Sequence, residues 1–547
     1  MPAHNATKPP PNPGKSHGDI VIGIDAGTSL IKAVAFQQDG VQLAVASTQN
    51  IYNQSDGAAA EQDMALTWRN TIATLQKLAE MVPHLAERTV GLAVTGQGDG
   101  TWLIDREGAP VGPALLWLDG RSAEIVEQIR ARPEDSERYQ ITGTGLAACQ
   151  QGPQLRWLLA HRPEQMARAA TAFHCKDYLY YCMTGARVGS VCEGCFTFGD
   201  FRKRAYSDRV IEILGLTSHR HLLPDMIDGS ENFHSLSADA AKLLGLRQGT
   251  PVCLGYLDVP CCALGGGLYD PINRPGFTII GSTGIHLCLS YDGSDLRLNQ
   301  ARTGYTVPFP VAGCQLQMQT NMAATLNIDW GVDFARDILA AFGIARTRSE
   351  ILDHYHEAMV AAPPGSLVYH PYILEAGERG PFNNARARAA FNNLTTKVKF
   401  PDMLRGVLEG LALASRHCYL AMNYQSGKDA LHEIRLSGGA AKNPLFREIY
   451  AATLGLPLRV TSRSEVGAAG AAMMAAVALK HYPTMQVCTA SWVTPYLSDR
   501  EEVNPKLQPI YDHVFSTYLA ALPGLDAVWK AQGNVKQPSP AQETVPA

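Results

Sequence analysis

A strand that ends in an aspartate and returns through a glycine turn constrains this chain more than any other feature. Residues 19–24 are mostly apolar, Asp25 follows them, and Gly27 opens a turn. The residues after the turn, 30–36, are typical of a returning hairpin strand. They do not form the Gly-Lys-Ser/Thr pattern before a helix that marks a P-loop. The segment is therefore predicted to be a β-hairpin with a carboxylate at its tip.

This hairpin turn has the chemistry of a phosphate site. Backbone amides near Gly27 and the hydroxyls of Thr28 and Ser29 would line a concavity that suits phosphate oxygens. Asp25 could hold a hydrated Mg²⁺ beside them, and Lys32 on the returning strand could add a positive charge. An ordinary hairpin with a glycine turn is the structural alternative.

A second hairpin of the same kind lies about half a chain further on. Strand residues 276–280 lead into Gly281, Ser282, Thr283 and Gly284, and a second apolar run follows. Two such hairpins predict an internal duplication, with two related α/β domains that face each other across a nucleotide. This arrangement resembles the actin, Hsp70 and sugar-kinase superfamily, whose domains have the actin/hexokinase-like (ribonuclease H-like) fold.

Composition excludes several other classes of protein. The chain has 547 residues, 46% of them hydrophobic and 18% charged, which is typical of a globular protein with more than one domain. A formal net charge of −4 gives no electrostatic reason to expect nucleic acid or an anionic membrane as a partner. Because the polar, proline-rich start lacks the apolar core of a signal peptide, a cytoplasmic location is expected.

Strands alternate with helices along most of the chain, and one clear amphipathic helix covers 401–424. The predicted organisation is a first domain at 19–268, with the first phosphate hairpin, and a second at 269–530, with the other. Segments 1–18 and 531–547 are expected to be disordered because they are poor in hydrophobic residues.

Asp258 follows a predicted strand and precedes a helix of small residues. A kinase that phosphorylates a hydroxyl needs a carboxylate in line with the γ-phosphate to accept the proton. Asp258 is the candidate for this base and, with Asp25, for the metal site. A helix-capping aspartate ahead of Pro260 is the structural alternative, and both roles can coexist.

Polar side chains after two further predicted strands, 90–95 and 114–118, form the candidate substrate site. Ligands of open α/β sheets bind beyond the carboxyl ends of strands. Hydrogen-bonding groups around one indole suit a small polyol, although turn formation would also explain the glycine-flanked aspartates. The residues proposed for substrate binding are Gln97, Asp99, Trp117, Gln150 and Asp258.

A glycine-rich strand-to-helix turn at 438–443 is the candidate adenosine site. Gly438 and Gly439 would let the backbone approach a flat ligand closely, and Asn443 could contact adenine or ribose beside Ala440. The alternative is a tight turn in which Asn443 and Pro444 open the helix.

Taken together, these motifs resemble the FGGY family of carbohydrate kinases between residues 19 and 525. The resemblance implies that ATP and Mg²⁺ are bound. It also implies that Asp258 is the base, that Asp25 lies near the metal, and that Asp99 and Trp117 contact the substrate. The segments that carry it are 23–29, 95–100, 116–121, 176–185, 255–258, 377–381, 404–410 and 437–443.

Within that family, the motifs are most similar to those of the bacterial erythritol kinases. The segments concerned are 96–102, 142–146, 174–177, 196–201, 319–330 and 376–382. This similarity implies phosphorylation of a terminal hydroxyl of a small polyol, erythritol being the expected substrate. A homodimer is compatible with the sequence.

Three positions depart from the wider family pattern. A lysine that many members carry in a Pro-x-x-Lys-x-x-Trp pattern is absent from 152–157, Gly98 replaces a larger residue, and Val259 replaces Asn or Gln after the base. These differences argue against carrying over pentose or glycerol specificity. The alternatives are a ketopentose kinase of the L-xylulose or ribulose type and a non-catalytic ATP-binding regulator, although the presence of Asp258 disfavours the regulator.

Overall fold

The computed structural model describes residues 18–55, 58–293, 296–425, 427 and 429–532. The predicted disordered segments lie outside this range except for Gly18, Ala531 and Gln532. The last two extend the final helix, so the prediction of a disordered tail from 531 was wrong for them. Within the part that the structure describes, no helix combines the length and apolar character needed to cross a membrane.

The first half of the chain contains a six-stranded sheet, several two- or three-stranded sheets and the helices that pack on them. Its strands are β1 (Ile20–Ala26), β2 (Leu30–Gln37), β3 (Gln42–Gln49), β4 (Asn53–Gln54), β5 (Ala60–Gln62), β6 (Thr89–Gly96), β7 (Trp102–Ile104), β8 (Ala114–Leu115), β9 (Thr171–Phe173), β10 (Val188–Ser190), β11 (Gly199–Asp200), β12 (Ala205–Tyr206), β13 (Asp225–Ile227), β14 (Phe233–Ser235) and β15 (Pro251–Leu254). Its helices are α1 (Met64–Met81), α2 (Leu85–Arg88), α3 (Ala123–Arg130), α4 (Glu134–Thr142), α5 (Gln151–His161), α6 (Pro163–Arg168), α7 (Cys175–Thr184), α8 (Val191–Phe198), α9 (Asp208–Ile213), α10 (Ala238–Leu244) and α11 (Asp258–Gly266), with a 3₁₀ turn at Thr217–Leu222.

The second half contains another six-stranded sheet. Its strands are β16 (Pro275–Ile280), β17 (Gly284–Ser290), β18 (Tyr305–Pro308), β19 (Gln315–Asn321), β20 (Val368–His370), β21 (Ala390–Asn392), β22 (Glu433–Ser437) and β23 (Leu458–Val460). Its helices are α12 (Thr325–Ala341), α13 (Arg348–Ala361), α14 (Phe400–Ala421), α15 (Pro444–Leu454), α16 (Val466–Ala478), α17 (Met485–Trp492) and α18 (Gln508–Gln532), with 3₁₀ turns at Gly439–Lys442 and Thr494–Tyr496.

The two large sheets share five strands in the same arrangement, and the sixth strand lies at opposite edges: β14 beside β15 in the first sheet and β18 beside β19 in the second. The first has the order β14-β15-β6-β1-β2-β3, in which β1, β2 and β3 are antiparallel while β6 and β15 run parallel to β1. The second has the order β18-β19-β17-β16-β22-β23, with β16, β17 and β19 antiparallel and β22 and β23 parallel to β16. The predicted duplication of an actin/hexokinase-like domain is therefore confirmed.

Two helices of small residues pack tightly where the halves meet. Helix α16 has no charged residue, and almost all of it is buried against α11 and the first sheet. A Cβ atom on Gly265 of α11 would lie 2.0 Å from the carbonyl oxygen of Val466, and one on Gly470 would lie 1.9 Å from that of Cys261. The glycines therefore allow a backbone-to-backbone crossing. The largest hydrophobic core joins this helix pair to both sheets.

One predicted strand differs from the structure. The segment 114–118 was expected to be a strand beside the one at 90–95, but only Ala114 and Leu115 form β8. This short strand pairs with β5 in a separate three-stranded sheet. The chain leaves the strand at Leu116, whose amide bonds to the carbonyl of Ala60, so Trp117 reaches the site from a loop.

Candidate active site

Asp25 and Asp258 lie at the same edge of the first sheet. Asp25 is near the end of β1, and Asp258 begins α11 a few residues after β15. Because β1, β6 and β15 are parallel neighbours, their carboxyl ends open on one side. Asp258 is the first helical residue rather than the N-cap, which is Leu257. Its Oδ1 accepts a hydrogen bond of 2.7 Å from the amide of Val259, which orients the carboxyl group.

The protein environment disfavours two ionised carboxylates at this edge. Burial raises the pKa of Asp258 to about 8, and the negative charge of Asp25 contributes. Burial also raises the pKa of Asp25 to about 6, although the ammonium of Lys32 lowers it. Two acidic groups with raised pKa values, beside a single ammonium, leave a deficit of positive charge. A divalent cation with oxygen ligands would remove that deficit, so the residues fit Mg²⁺.

Lys32 connects the first hairpin to the second half of the chain. Its Nζ lies 2.8 Å from Oε2 of Glu465, the residue before α16. The prediction placed Lys32 among the nucleotide contacts, and the structure gives its ammonium this carboxylate partner. The first turn is closed by the amide of Gly27, which donates to the carbonyl of Leu30 at 3.0 Å, while Ser29 at its tip is exposed.

The second hairpin turn is also open to solvent, with Ser282 and Thr283 exposed and Gly284 buried at the start of β17. It adjoins the predicted adenosine turn because β16 and β22 are parallel neighbours. Gly438 there has a φ of 96°, and a Cβ on it would lie 2.3 Å from the carbonyl oxygen of Ile280. Only glycine fits this position without strain. The structure thus brings both predicted nucleotide elements of the second half together.

The remaining residues of the adenosine turn differ in how much they offer a ligand. Gly439 is exposed and a Cβ on it would meet no atom within 4 Å, whereas Ala440 is buried. Asn443 caps helix α15, since its Oδ1 accepts from the amides of Leu445 and Phe446 at 3.0 and 3.4 Å. Asn443 therefore has the helix-capping role that was the alternative to nucleotide binding. Its side-chain amide nitrogen is the group that a nucleotide contact would use.

Asp99 occupies a strained and enclosed position between two glycines. Its φ is 54°, in the left-handed region. Its Oδ2 accepts from the hydroxyl of Tyr305 at 2.9 Å and from the thiol of Cys149 at 3.3 Å. Burial raises the pKa of Asp99. A Cβ on the preceding Gly98 would lie 2.8 Å from Cδ1 of Leu257, so the small residue here gives room to the segment that leads to Asp258.

Gln97, Thr28 and Trp117 form one hydrogen-bonded chain. The Trp117 indole donates to Thr28 Oγ1 at 2.8 Å, and that hydroxyl donates to Gln97 Oε1 at 2.9 Å. The Gln97 amide in turn donates to Gln62 at 2.8 Å. Thr28 was predicted to face phosphate, and the structure links its hydroxyl to the substrate set as well. Trp117 is 43% exposed, so its ring is open to a ligand.

Gln150 is placed differently from the other predicted substrate residues. It is 1% exposed, its amide nitrogen donates to the carbonyl of Gly145 at 2.9 Å, and its oxygen accepts from the amide of Ala147 at 3.3 Å. Both ends of the amide are thus used within the loop that precedes α5. A contact between the Gln150 side chain and the substrate, as predicted, would require at least one of these two hydrogen bonds to break.

Several residues at the site were not singled out from the sequence. Tyr305 and Cys149 hold Asp99, and Tyr305 comes from β18 in the other half of the chain. A cluster of four buried charged or titratable residues lies near the end of β1. It comprises His174, Lys176, Asp177 and Glu193. Segment 174–177 was noted from the sequence for its resemblance to other kinases, but no sequence signal placed these residues beside Glu193.

The duplicated fold with two hydroxyl-bearing turns, an adenosine turn and an aspartate pair is that of a small-molecule kinase. Comparison with protein families agrees with this class. The N-terminal domain of the FGGY family of carbohydrate kinases matches residues 20–265, and its C-terminal domain matches 287–479. The chain belongs to the FGGY family of carbohydrate kinases, which transfer phosphate from ATP.

A curated relative gives the same family, and a solved structure gives the same fold. The chain is 45% identical to the erythritol kinase of Brucella abortus (strain 2308), over 94% of this chain and 98% of that protein. It is 27% identical to the xylulose kinase of Escherichia coli (strain K12), over 84% and 90% of the two chains. A structure described as a xyloylose kinase from Brucella ovis superposes with a TM-score of 0.82 at 23% identity, covering 93% of this chain and all of the other, and so supports the fold.

Proposed function

We propose that this protein phosphorylates a terminal hydroxyl of erythritol with Mg²⁺ and ATP. The observation that carries the substrate assignment is the 45% identity to an erythritol kinase over nearly the whole of both chains, against 27% to a xylulose kinase. The candidate substrate side chains support a hydroxyl-rich substrate. Asp99 offers a carboxylate with one unpaired oxygen, and Trp117 offers an indole that is 43% exposed.

In this proposal Asp258 accepts the proton of the attacking hydroxyl. Its carboxyl group is oriented by the Val259 amide and lies at the sheet edge that also carries Asp25. Asp25 and Asp258 are the residues that would hold Mg²⁺, which when bound would supply positive charge to stabilise the transferred phosphoryl group. The same positive charge would favour the ionised form of Asp258, which is the form that can act as a base. The exposed turns at Thr28 and Thr283 would bind the phosphates.

A substrate panel in an ADP-release assay tests the proposal. Erythritol, threitol, ribitol, glycerol, L-xylulose and ribulose would be compared by kcat/KM, with Asp258→Asn as the control for contaminating kinase activity. We expect erythritol to have the highest kcat/KM. A higher value for a ketopentose would replace the substrate assignment with the alternative ketopentose kinase. Absence of sugar-dependent ADP release with every substrate would favour the non-catalytic regulator.

A further inference from the structure

Three buried polar atoms near the proposed substrate site have no hydrogen-bond partner among the described residues. They are Oδ1 of Asp99, Nε2 of His174 and Oε1 of Glu193. His174 is 5% exposed and Glu193 is fully buried. Buried polar groups in folded proteins are almost always paired, so buried unpaired atoms beside a candidate ligand site suggest a missing partner.

The start of helix α7 places His174 beside the known parts of the site. The thiol of Cys175, the next residue, lies 3.9 Å from the Gln97 amide nitrogen and 3.9 Å from the carbonyl of Ala26 at the end of β1. Nδ1 of His174 lies 3.3 Å from Oδ2 of Asp177. Nε2 is on the other side of the ring and therefore points away from that carboxylate.

Glu193 is held in the same cluster by one of its two oxygens. Its Oε2 contacts the ammonium of Lys176, which also donates to Asp177 at 2.9 Å. The ligand atoms of His174, Asp177 and Glu193 lie within 4.8 Å of one another, a spacing that could suit a metal ion. Because the Lys176 ammonium already bonds to both carboxylates, it supplies the positive charge that a metal would bring. A neutral polar ligand is therefore a better partner for the unpaired atoms than a metal ion.

Electrostatic effects connect the cluster to both predicted substrate carboxylates. The charge of His174 acts on the pKa of Asp99 and tends to lower it, while that of Glu193 tends to raise the pKa of Asp258. The negative charge of Asp99 also tends to raise the pKa of Asp258. Together with the contact between Cys175 and Gln97, these influences place the cluster in the same part of the molecule as Asp99 and Asp258.

We propose that His174 and Glu193 bind the hydroxyls of the substrate that are not phosphorylated, and that they set how many hydroxyls the pocket accepts. This inference rests on the proposed function. A hydroxyl both donates and accepts, so it can donate to the oxygens of Glu193 and Asp99 and pair with either protonation state of Nε2. One hydroxyl at Asp258 and one at each unpaired atom correspond to a four-carbon polyol.

This arrangement predicts discrimination against a shorter polyol. Glycerol lacks one hydroxyl-bearing carbon, so at least one of the buried atoms would stay unpaired in its complex. Sites built to hydrogen-bond a hydroxyl reject analogues that lack it much more strongly than apolar pockets reject a missing methylene group.

Two substitutions test the assignment. His174→Asn keeps an amide near the position of Nδ1 and removes Nε2, and Glu193→Gln keeps the shape but removes the negative charge. We expect kcat/KM for erythritol to fall roughly 10–100-fold in each variant, mainly through KM. In the variant of the residue that glycerol leaves unpaired, kcat/KM for glycerol should fall less than about 3-fold. His370→Asn is the matched control, because His370 is equally buried but contacts Tyr518 and Asn392 in the other half. Its erythritol-to-glycerol ratio should stay at the wild-type value.

Ligand-dependent shifts in Tm separate binding from folding. In both variants the rise in Tm caused by erythritol should be lost, while the rise caused by Mg·ATP should persist. A variant whose Tm does not rise with Mg·ATP is treated as misfolded, and the inference is then tested with the other variant. An equal loss of kcat/KM for erythritol and glycerol in both variants, or no loss, would overturn the inference. If wild-type enzyme instead prefers another substrate, the proposed function fails, and the same ratio is then measured with that substrate and an analogue lacking its distal hydroxymethyl group.

Discussion

Substitution of Gly470 by alanine should show how far the active site depends on one helix crossing. The added Cβ would lie 1.9 Å from the carbonyl oxygen of Cys261, and contacts under 3.0 Å are essentially never seen at Cβ atoms. Helices α16 and α11 would have to separate locally by about 1 Å. The carbonyl oxygen belongs to the backbone of α11, and the Cβ is fixed to the backbone of α16, so neither atom can move aside as the end of a flexible side chain would.

The expected cost has two parts. Overpacking of a close-packed interior costs about 1–3 kcal/mol, and a backbone clash lies at the upper end of that range. The better helix propensity of alanine offsets about 1 kcal/mol, which leaves a net loss of about 2 kcal/mol. Since α11 begins with Asp258, the same shift would displace the base, and a misplacement of about 1 Å can lower turnover by roughly 10²-fold.

Urea unfolding followed by tryptophan fluorescence, together with kcat on erythritol, would measure both effects. The matched control is Gly524→Ala in α18, where an added Cβ meets no atom within 4 Å and the site is exposed. It should raise stability by about 0.5–1 kcal/mol and leave kcat unchanged. A Gly470→Ala protein with the wild-type unfolding midpoint and near-normal kcat would refute the reasoning.

Three further predictions concern single side chains. Asp258→Asn should lower kcat by roughly 10²–10⁴-fold while Mg·ATP still raises Tm; near-normal turnover would remove it from the mechanism. Burial raises the pKa of Glu378 to about 7, although backbone amides lower it. The folded state therefore binds a proton that the unfolded chain has lost, so this residue's contribution to stability falls as pH rises from about 4.5 to 7. Glu378→Gln should flatten that part of the pH–stability curve, and an unchanged curve would contradict the assignment. Asn443→Ala should cost about 1 kcal/mol through the lost helix cap. Asn443→Asp should keep the cap and raise KM for ATP; an unchanged KM would exclude the side-chain amide from the nucleotide site.

Much of the fold could be predicted because its signals are local. A strand that ends at a glycine turn, as at Gly27 or Gly281, depends on apolar runs and backbone freedom within a few residues. The helix at Phe400–Ala421 follows from apolar spacing alone. Strand 114–118 was mispredicted because its length depends on a partner, β5, that lies far away in the sequence.

The candidate nucleotide elements and both aspartates could be predicted from the sequence because their residue types lie at strand ends within short motifs. His174 and Lys176 lie in a segment that carries the family resemblance, but their association with Glu193 could not be predicted, because Glu193 comes from a different helix. The same holds for Tyr305, which reaches Asp99 across 206 positions of sequence. Distances of this kind depend on packing and are not encoded in local spacing.

By itself, the sequence determined the duplicated hairpins, the alternation of strands and helices, and the identity of the candidate base. Each of these depends on residue type and spacing within one segment, where backbone geometry leaves few choices. Only the tertiary structure decided which polar atoms are paired. Both ends of the Gln150 amide form hydrogen bonds within a loop, and the side-chain oxygen of Asn443 caps a helix. His174 and Glu193 each keep one unpaired atom. Hydrogen-bond partners depend on which side chains meet when the two sheets and their helices pack together, and that is a property of the whole folded chain.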